Sequence, residues 1–315
     1  MLLQVPLVVA LVSRLGDSRG LWADQRIAVC GTHRSGTTLL GEVLSVDPHS
    51  HQIFEPFNPA SGIEEATHSF VAVDWPGDRS RQAIDRFMAA EGVRFRRPAG
   101  HRNSFAKWLK GTRLSREYVA ARLFRPSRLV IKCPFMSLAS EYMIDRYKFK
   151  VLFAVKHPAS FLVSLRRVGW DKTLPLDDLV AQGVIDSATR DAATTPVARA
   201  GLFWNVINAH ALETQRRFPD ETAIWSHERF CRDPQTEMAR TAEALAIRYS
   251  PAMRLAIDHA TQGDVVRPPA DTVHQLVRNA GEMTDEWRSH LSAGEDAELR
   301  LQCGSLYREL IGEDW

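Results

Sequence analysis

A chain of 315 residues, 44% of them hydrophobic, can bury one large core with insertions or two small ones. Its 40 basic and 38 acidic side chains leave a net charge of +2, so nothing marks it overall as a polyanion binder and no nucleic-acid partner is expected. The four cysteines, Cys30, Cys133, Cys231 and Cys303, are scattered and form no C-x-x-C pair, which argues against a zinc site and a disulfide framework and for reduced thiols in a cytosol.

The opening run MLLQVPLVVALV is apolar but stops at Ser13-Arg14, short of the roughly 20 residues a membrane-spanning helix needs. It lacks a clear basic leader and cleavage site. A packed or interfacial helix is expected there, in a cytoplasmic protein that is membrane-peripheral at most. RIAVCG (26–31) reads as a buried strand, and Thr37 to Val46 as a helix with Leu39, Leu40, Val43 and Leu44 on one face, stopped by Asp47-Pro48. RLVIK (128–132), FKVLFAVK (149–156) and ETAIWS (221–226) read as further strands, followed by helical patterns at 136–147, 159–168 and 234–247. Such alternation implies an α/β fold, a central parallel sheet flanked by helices in three layers, spanning 1–315 as one domain. The less regular stretches 60–127 and 171–200 read as helical insertions at the C-terminal edge of the sheet, where α/β folds place their ligands.

Between the first strand and its helix lies GTHRSGTTLL (31–40). The frame is that of a phosphate-binding loop, G-x-x-x-x-G-K-[ST], but Thr37 stands where the lysine belongs. Backbone N–H groups from Ser35 through Gly36 and Thr37 to Thr38 face the positive end of a helix and suit an anion. The plainer alternative is a Gly/Ser/Thr turn capping an ordinary helix; strand, loop and helix in that order favour the anion. Arg34 can fork onto an anionic group. The residues at the other strand ends are Lys132, Lys156 and Glu228, with no Asp to hold the magnesium of a nucleoside triphosphatase. No metal site is expected; side-chain cations neutralise the ligand instead.

RSGTTLL (34–40) followed by VKHPASFLVSLRRVGW (155–170) resembles the donor-binding pair of the sulfotransferases that use 3′-phosphoadenosine 5′-phosphosulfate and release adenosine 3′,5′-bisphosphate. The resemblance implies that the first loop grips the 5′-phosphosulfate while Lys156 and Ser164 grip the 3′-phosphate; Lys156 keeps the charge of the arginine usual in the family but not its fork. IKCPF (131–135) resembles the family segment whose lysine, here Lys132, reaches the transferring group. WSHERFCRDP (225–234) resembles a further nucleotide segment, with His227 in place of tyrosine, and LVRNAGEMTDEW (276–287) the late basic segment, which would bring Arg278 over the nucleotide. The family's usual dimer motif is absent, and no oligomeric state is read.

The acceptor hydroxyl needs a base. The histidine that the animal cytosolic enzymes place after the strand-end lysine is Pro134 here. HQIFEPFNP (51–59) resembles the segment of carbohydrate sulfotransferases whose glutamate serves, which implies Glu55 as base, with Lys132 and Arg34 stabilising the charge of the leaving group. The other reading of Glu55 is a surface acid before a proline, and His51 and His33 are further candidates. A carbohydrate or glycolipid acceptor is the expectation. From Arg94 to Lys132 there are twelve Arg/Lys against the single acid Glu117, a polarity that suits an anionic glycan, a lipid head group or a membrane surface, or a set of solvated helix faces balanced by acids elsewhere. Trp75, Trp108, Trp170 and Trp204 can stack on sugars or lie in the core. Two other classes stay open: a phosphate-loop kinase, for which loop lysine and magnesium ligand are missing, and a catalytically silent nucleotide-binding protein.

Overall fold

The side chains of β1 (Gln25–Gly31) face two separate cores, Ile27 and Val29 on one side and Ala28 and Cys30 on the other. A strand buried on both faces belongs inside a sheet covered by helices on both sides. The computed structural model, which describes residues 20–74, 78–97, 112–261 and 286–315, places it there. The chain continues through α1 (Thr37–Leu44), β2 (Ser50–Phe54), α2 (Ser80–Ala89), α3 (Arg113–Phe124) and β3 (Arg128–Lys132). After a 3₁₀ turn at Pro134–Ala139 come α4 (Ser140–Tyr147), β4 (Lys150–Val155), α5 (Pro158–Arg166), α6 (Leu176–Ala181), α7 (Ser187–Ala192) and α8 (Pro196–Arg217). Then follow β5 (Thr222–Ser226), α9 (His227–Arg232), α10 (Pro234–Ala244), α11 (Pro251–Thr261), a 3₁₀ turn at Glu286–Ser289 and α12 (Ala293–Ile311). The described strands form one parallel sheet in the order β2-β3-β1-β4-β5.

The expected α/β architecture is what forms. One face of the sheet is covered by α1, α10 and α11, through Leu40, Val43, Leu44, Met238, Met253 and Ile257. The other carries α5, α8 and α12, through Phe161, Leu165, Phe203, Trp204, Leu299 and Tyr307. Each fully buried aliphatic or aromatic side chain contributes roughly 1.5–3 kcal/mol of transfer free energy, so both layers are held independently of any ligand. From β1 the chain leaves toward β2, and from β4 it leaves the opposite way toward β5. The crevice between the carboxyl ends of β1 and β4 is therefore the topological switch point, the preferred ligand position in open α/β sheets.

Several boundaries differ from the sequence reading. The run FKVLFAVK, read as a strand over 149–156, forms β4 only from Lys150 to Val155, so Lys156 lies just past the ladder. The helix expected from residue 136 starts at Ser140, because Pro134–Ala139 winds as a 3₁₀ turn. The irregular stretch 171–200 contains α6 and α7 and runs into α8, a 22-residue helix the sequence reading does not name. Its start signal is plain: the Thr195 hydroxyl accepts from Ala198 N–H and Pro196 opens the first turn. Its apolar stripe, however, is broken by buried Ala200, Gly201 and Asn208. The four cysteines are buried, and none is in a disulfide. No helix among the described residues is long and apolar enough to cross a membrane; the apolar run 1–12 lies outside them.

Candidate active site

Gly36 closes the loop after β1 with φ +99°, a conformation open to glycine at little strain. A Cβ there would also stand 3.0 Å from the Trp225 ring. Gly36 is the N-cap of α1, and no side chain caps that helix, so its first-turn N–H groups point into the crevice with the positive end of the helix dipole. The Ser35 hydroxyl donates to Thr32 O at 2.7 Å and holds the turn, which leaves Ser35, Gly36, Thr37 and Thr38 to act through backbone N–H groups and the threonine hydroxyls. Thr32 Oγ1 and Trp225 Nε1 are buried and have no hydrogen-bond partner among the described residues. Orphaned polar atoms at such a place call for a partner from outside the chain.

The loop and the second motif meet. Arg34, held at φ +62°, donates from Nε to Ser164 Oγ at 3.2 Å across 130 residues of sequence. Ser164 is buried in the second turn of α5, whose first turn is opened by Pro158 and whose N-cap, His157, accepts at Nδ1 from Ala159 N–H. Gly169 ends this stretch: its N–H reaches Arg166 O, and that of Trp170 reaches Leu165 O, the paired bonds of a Schellman turn. Arg166, in the last turn of α5, binds Glu295 of α12 at 2.5 Å. Lys156 is buried at the head of the same segment, and its carbonyl accepts from Trp204 Nε1 at 2.8 Å. His227 closes the other flank, its Cδ2 being 3.7 Å from a Cβ placed on Gly36. Arg278 lies outside the described residues; Trp287, from the end of its segment, stacks on His157 with ring centroids 4.9 Å apart.

Glu55 and Lys132 form the second half of the site. The register pairs Phe54 with Lys132, and Glu55 N–H then donates to Lys132 O at 2.7 Å, carrying the β2–β3 ladder one residue further. Glu55 turns its chain at φ +47°. A left-handed non-glycine residue stores about 1–3 kcal/mol of strain and is a frequent mark of functional sites. The Glu55 carboxylate binds the Lys132 ammonium and accepts from Asn58 Nδ2 at 2.8 Å. Burial works to raise the Glu55 pKa, but Lys132, with help from Asn58, outweighs it and holds the carboxyl below its ordinary value. Lys132 is 2% exposed. Its stem runs along α1, where a Cβ on Gly41 would come within 2.9 Å of Lys132 Cβ, so the helix glycine makes room for the lysine. The ammonium also lies 4.3 Å from the centre of the Phe54 ring, an attractive cation–π contact.

The two histidines weighed as alternative bases sit in different settings. His51 Nε2–H donates to Glu117 O at 2.7 Å, which ties it to α3. His33 is ringed by Phe70, Phe135 and Trp170 at 4.8, 5.0 and 5.9 Å. Burial, with Lys132 and Arg34 adding to it and Glu55 opposing, lowers its pKa to about 4 and leaves it neutral at physiological pH. Of the tryptophans read as sugar platforms, Trp204 is fully buried and anchors Lys156 instead, Trp170 is partly exposed beside the loop, and Trp75 and Trp108 lie outside the described residues. The basic stretch 94–132 is partly neutralised from elsewhere: Arg128 pairs with Asp47 at 3.0 Å and Lys132 with Glu55. Sequence reasoning missed Asn58, the anchoring of the Lys156 carbonyl by Trp204 and the burial of Glu228. The last two depend on contacts between distant segments that no local pattern announces, while Asn58 reaches Glu55 because the chain turns back on itself after β2.

No family model matches the chain, and no curated protein matches its sequence. Among solved structures it is similar to the sulfotransferase domain from the Synechococcus PCC 7002 olefin synthase, at 18% identity over 90% of this chain and 96% of that one, with a TM-score of 0.45. The sulfotransferase domain from the curacin biosynthetic pathway gives 16% identity, 88% and 96% coverage and a TM-score of 0.47. Mouse sulfotransferase SULT7A1 complexed with PAP gives 11%, 98%, 90% and 0.44. With overlaps this loose, the chemistry rests on the side chains themselves.

Proposed function

We propose that this chain is a sulfotransferase that moves the sulfuryl group of 3′-phosphoadenosine 5′-phosphosulfate to a hydroxyl of a carbohydrate or glycolipid. The observation that carries the reading is the Arg34–Ser164 hydrogen bond at 3.2 Å, which joins a lysine-free phosphate loop to a second anion-binding segment in one crevice. A phosphate loop alone suits any nucleotide. A second cationic pocket, Lys156 with Ser164, suits a nucleotide with a phosphate at its far end. Lys132, on the loop side of β3, is placed to stabilise charge on the oxygen released from sulfur, together with the uncapped end of α1. Glu55 takes the proton of the acceptor hydroxyl as that oxygen attacks. Transfer of this type is loose and in line, so positioning and charge stabilisation dominate, as in phosphoryl transfer. The resemblance of the Glu55 segment supports a carbohydrate acceptor, and the partly exposed Trp170 supports a stacking surface beside the loop. We carry forward contact with a membrane surface as part of the same proposal, supported by the exposed Arg116, Arg125, Leu123 and Phe124 on and just after α3.

Calorimetric titration of adenosine 3′,5′-bisphosphate and of ATP, each with and without magnesium, tests the reading. The first ligand is expected to bind tightly in both conditions and ATP weakly in both. Magnesium-dependent ATP binding in preference to the bisphosphate would point to the kinase class instead. Within the same assay Lys156→Ala is expected to weaken the bisphosphate by about 1.5–3 kcal/mol, the range for hydrogen bonds to charged groups, and adenosine 5′-phosphate hardly at all. Equal losses for both ligands would remove Lys156 from the 3′-phosphate pocket. Arg34→Ala is expected to lower donor affinity and turnover together, because its charge acts on the nucleotide in ground and transition state alike. Unchanged affinity would place Arg34 outside the donor site.

A further inference from the structure

The β4–β5 register pairs Val155 with Ser226, so the residues that follow the two strands, Lys156-His157 and His227-Glu228, leave the sheet side by side. Glu228 is 5% exposed, and among the described residues no donor makes a well-aligned hydrogen bond to either carboxylate oxygen. The nearest side-chain nitrogen recorded for it is His227 Nδ1, 3.4 Å from Oε1. A buried carboxylate approached only at this distance by one imidazole nitrogen is rare and needs a reason. Packing alone does not supply one, since a glutamine or methionine would fill the same space without the charge.

The groups that face Glu228 come from three elements. Lys156 and His157 approach from the β4–α5 segment, His227 and Arg232 from α9, and Tyr307 from α12; Cys231 Sγ lies 3.6 Å from His227 Nδ1. In the free protein burial pushes the Glu228 pKa up, but His227, His157 and Lys156 outweigh it and hold the carboxyl below its ordinary value. Lys156 is the charge that the proposed function assigns to the 3′-phosphate. When a dianionic phosphate settles on Lys156, the lysine's field is shared, and a second negative group stands beside a carboxylate already shielded from water. Both changes favour a proton on the pair formed by His227 and Glu228.

We propose that the His227–Glu228 pair takes up a proton when a 3′-phosphorylated nucleotide docks on Lys156, which makes donor binding tighten as the pH falls. This rests on the sulfotransferase reading and adds to it a control on donor affinity. The sign of the proton change is diagnostic. A phosphate has its second pKa near 6, so at pH 7.5 it is almost wholly dianionic, and a site made only of cations would strip off the remaining fraction and release protons. Uptake requires a proton-accepting group in the protein beside the phosphate.

The test is calorimetry of adenosine 3′,5′-bisphosphate at pH 7.5 in two buffers of different ionisation enthalpy, with adenosine 5′-phosphate as the ligand that lacks the deciding group. The wild type is expected to take up about half a proton or more per bisphosphate. By linkage that makes binding about threefold tighter for each pH unit lowered between 8.5 and 7. Adenosine 5′-phosphate is expected to change the proton count little, and Glu228→Gln to lose most of the uptake. Bisphosphate binding with no proton change, or with release, overturns the inference and leaves the functional reading standing; so does a Glu228→Gln protein that takes up as much as the wild type. Failure of the bisphosphate to bind, or to bind better than adenosine 5′-phosphate, overturns the functional reading and this inference with it. The wild-type measurement decides the sign even where the variant does not fold.

Discussion

Replacing Glu55 by glutamine is expected to lower turnover by about 10²–10⁴, the usual contribution of a general base, while the bisphosphate still binds. The amide keeps the size and the hydrogen-bond acceptor that faces Lys132 but cannot take a proton. The substitution also leaves the Lys132 ammonium, 2% exposed, without its counter-charge. Removing one partner of a buried pair costs about 3–5 kcal/mol, and the retained amide oxygen offsets part of that, so the variant is to be assayed below a transition measured by denaturant. The pH profile separates base from bystander. In the free protein Glu55 is held below its ordinary pKa by Lys132 and Asn58 against burial, so kcat/KM should fall only below the ordinary carboxylate range. Once Lys132 turns toward the donor, that restraint relaxes and burial raises the carboxyl, so the acid limb of kcat should lie at higher pH than that of kcat/KM. Glu55→Gln should show neither limb. A variant with wild-type turnover, measured where chemistry limits the rate, sinks the assignment.

The parts of this molecule that a sequence shows are those that local physics dictates. RIAVCG, RLVIK and FKVLFAVK read as strands because a strand buried on both faces is a continuous apolar run, and each has β structure where expected. The loop and the Lys156–Ser164 spacing are visible because glycines, a helix start and a strand end sit at fixed offsets along the chain. Helix α8 was harder: Gly201 interrupts its stripe because it packs against α12, where Gln302 crowds the position a Cβ would take, and the buried Asn208 turns its amide back to Trp204 O of the same helix. The pairing of Glu55 with Lys132 spans 77 residues and follows from the β2–β3 register alone. Trp204, listed among possible sugar platforms by residue type, serves as an anchor for the Lys156 carbonyl. Glu228 shows the limit most plainly. Its sequence neighbours give no hint of burial, which arises only where α9 and α12 close over the end of β5.

Lys132→Met is expected to change the sign of the protein's pH dependence of stability at this site as well as its rate. The methionine has nearly the volume of the lysine stem that runs past Gly41, so packing against α1 is retained while the charge is lost. Turnover should fall by about 10²–10³, the effect of removing one group that stabilises developing negative charge. Stability then reports on Glu55. In the wild type its folded pKa lies below the unfolded value, which is near 4.3, so its stabilising contribution is present above that value and is lost as the pH falls through the folded pKa. Without Lys132, burial becomes the dominant influence on the carboxyl, and Asn58 alone does not cancel it. The folded pKa then exceeds the unfolded one, and the contribution is present below the unfolded value and lost as the pH rises through the folded pKa. Relative to wild type, Lys132→Met should be least stable at neutral pH and recover as the pH drops toward 4.5. In the double variant with Glu55→Gln that recovery should vanish, and the combined loss should be smaller than the sum of the two single losses, because neither buried charge is left alone. Denaturant midpoints of the four proteins at pH 7.5 and pH 5 suffice to decide. Strictly additive losses, or a Lys132→Met stability difference that does not move with pH, would mean that Glu55 and Lys132 are not coupled as the geometry describes.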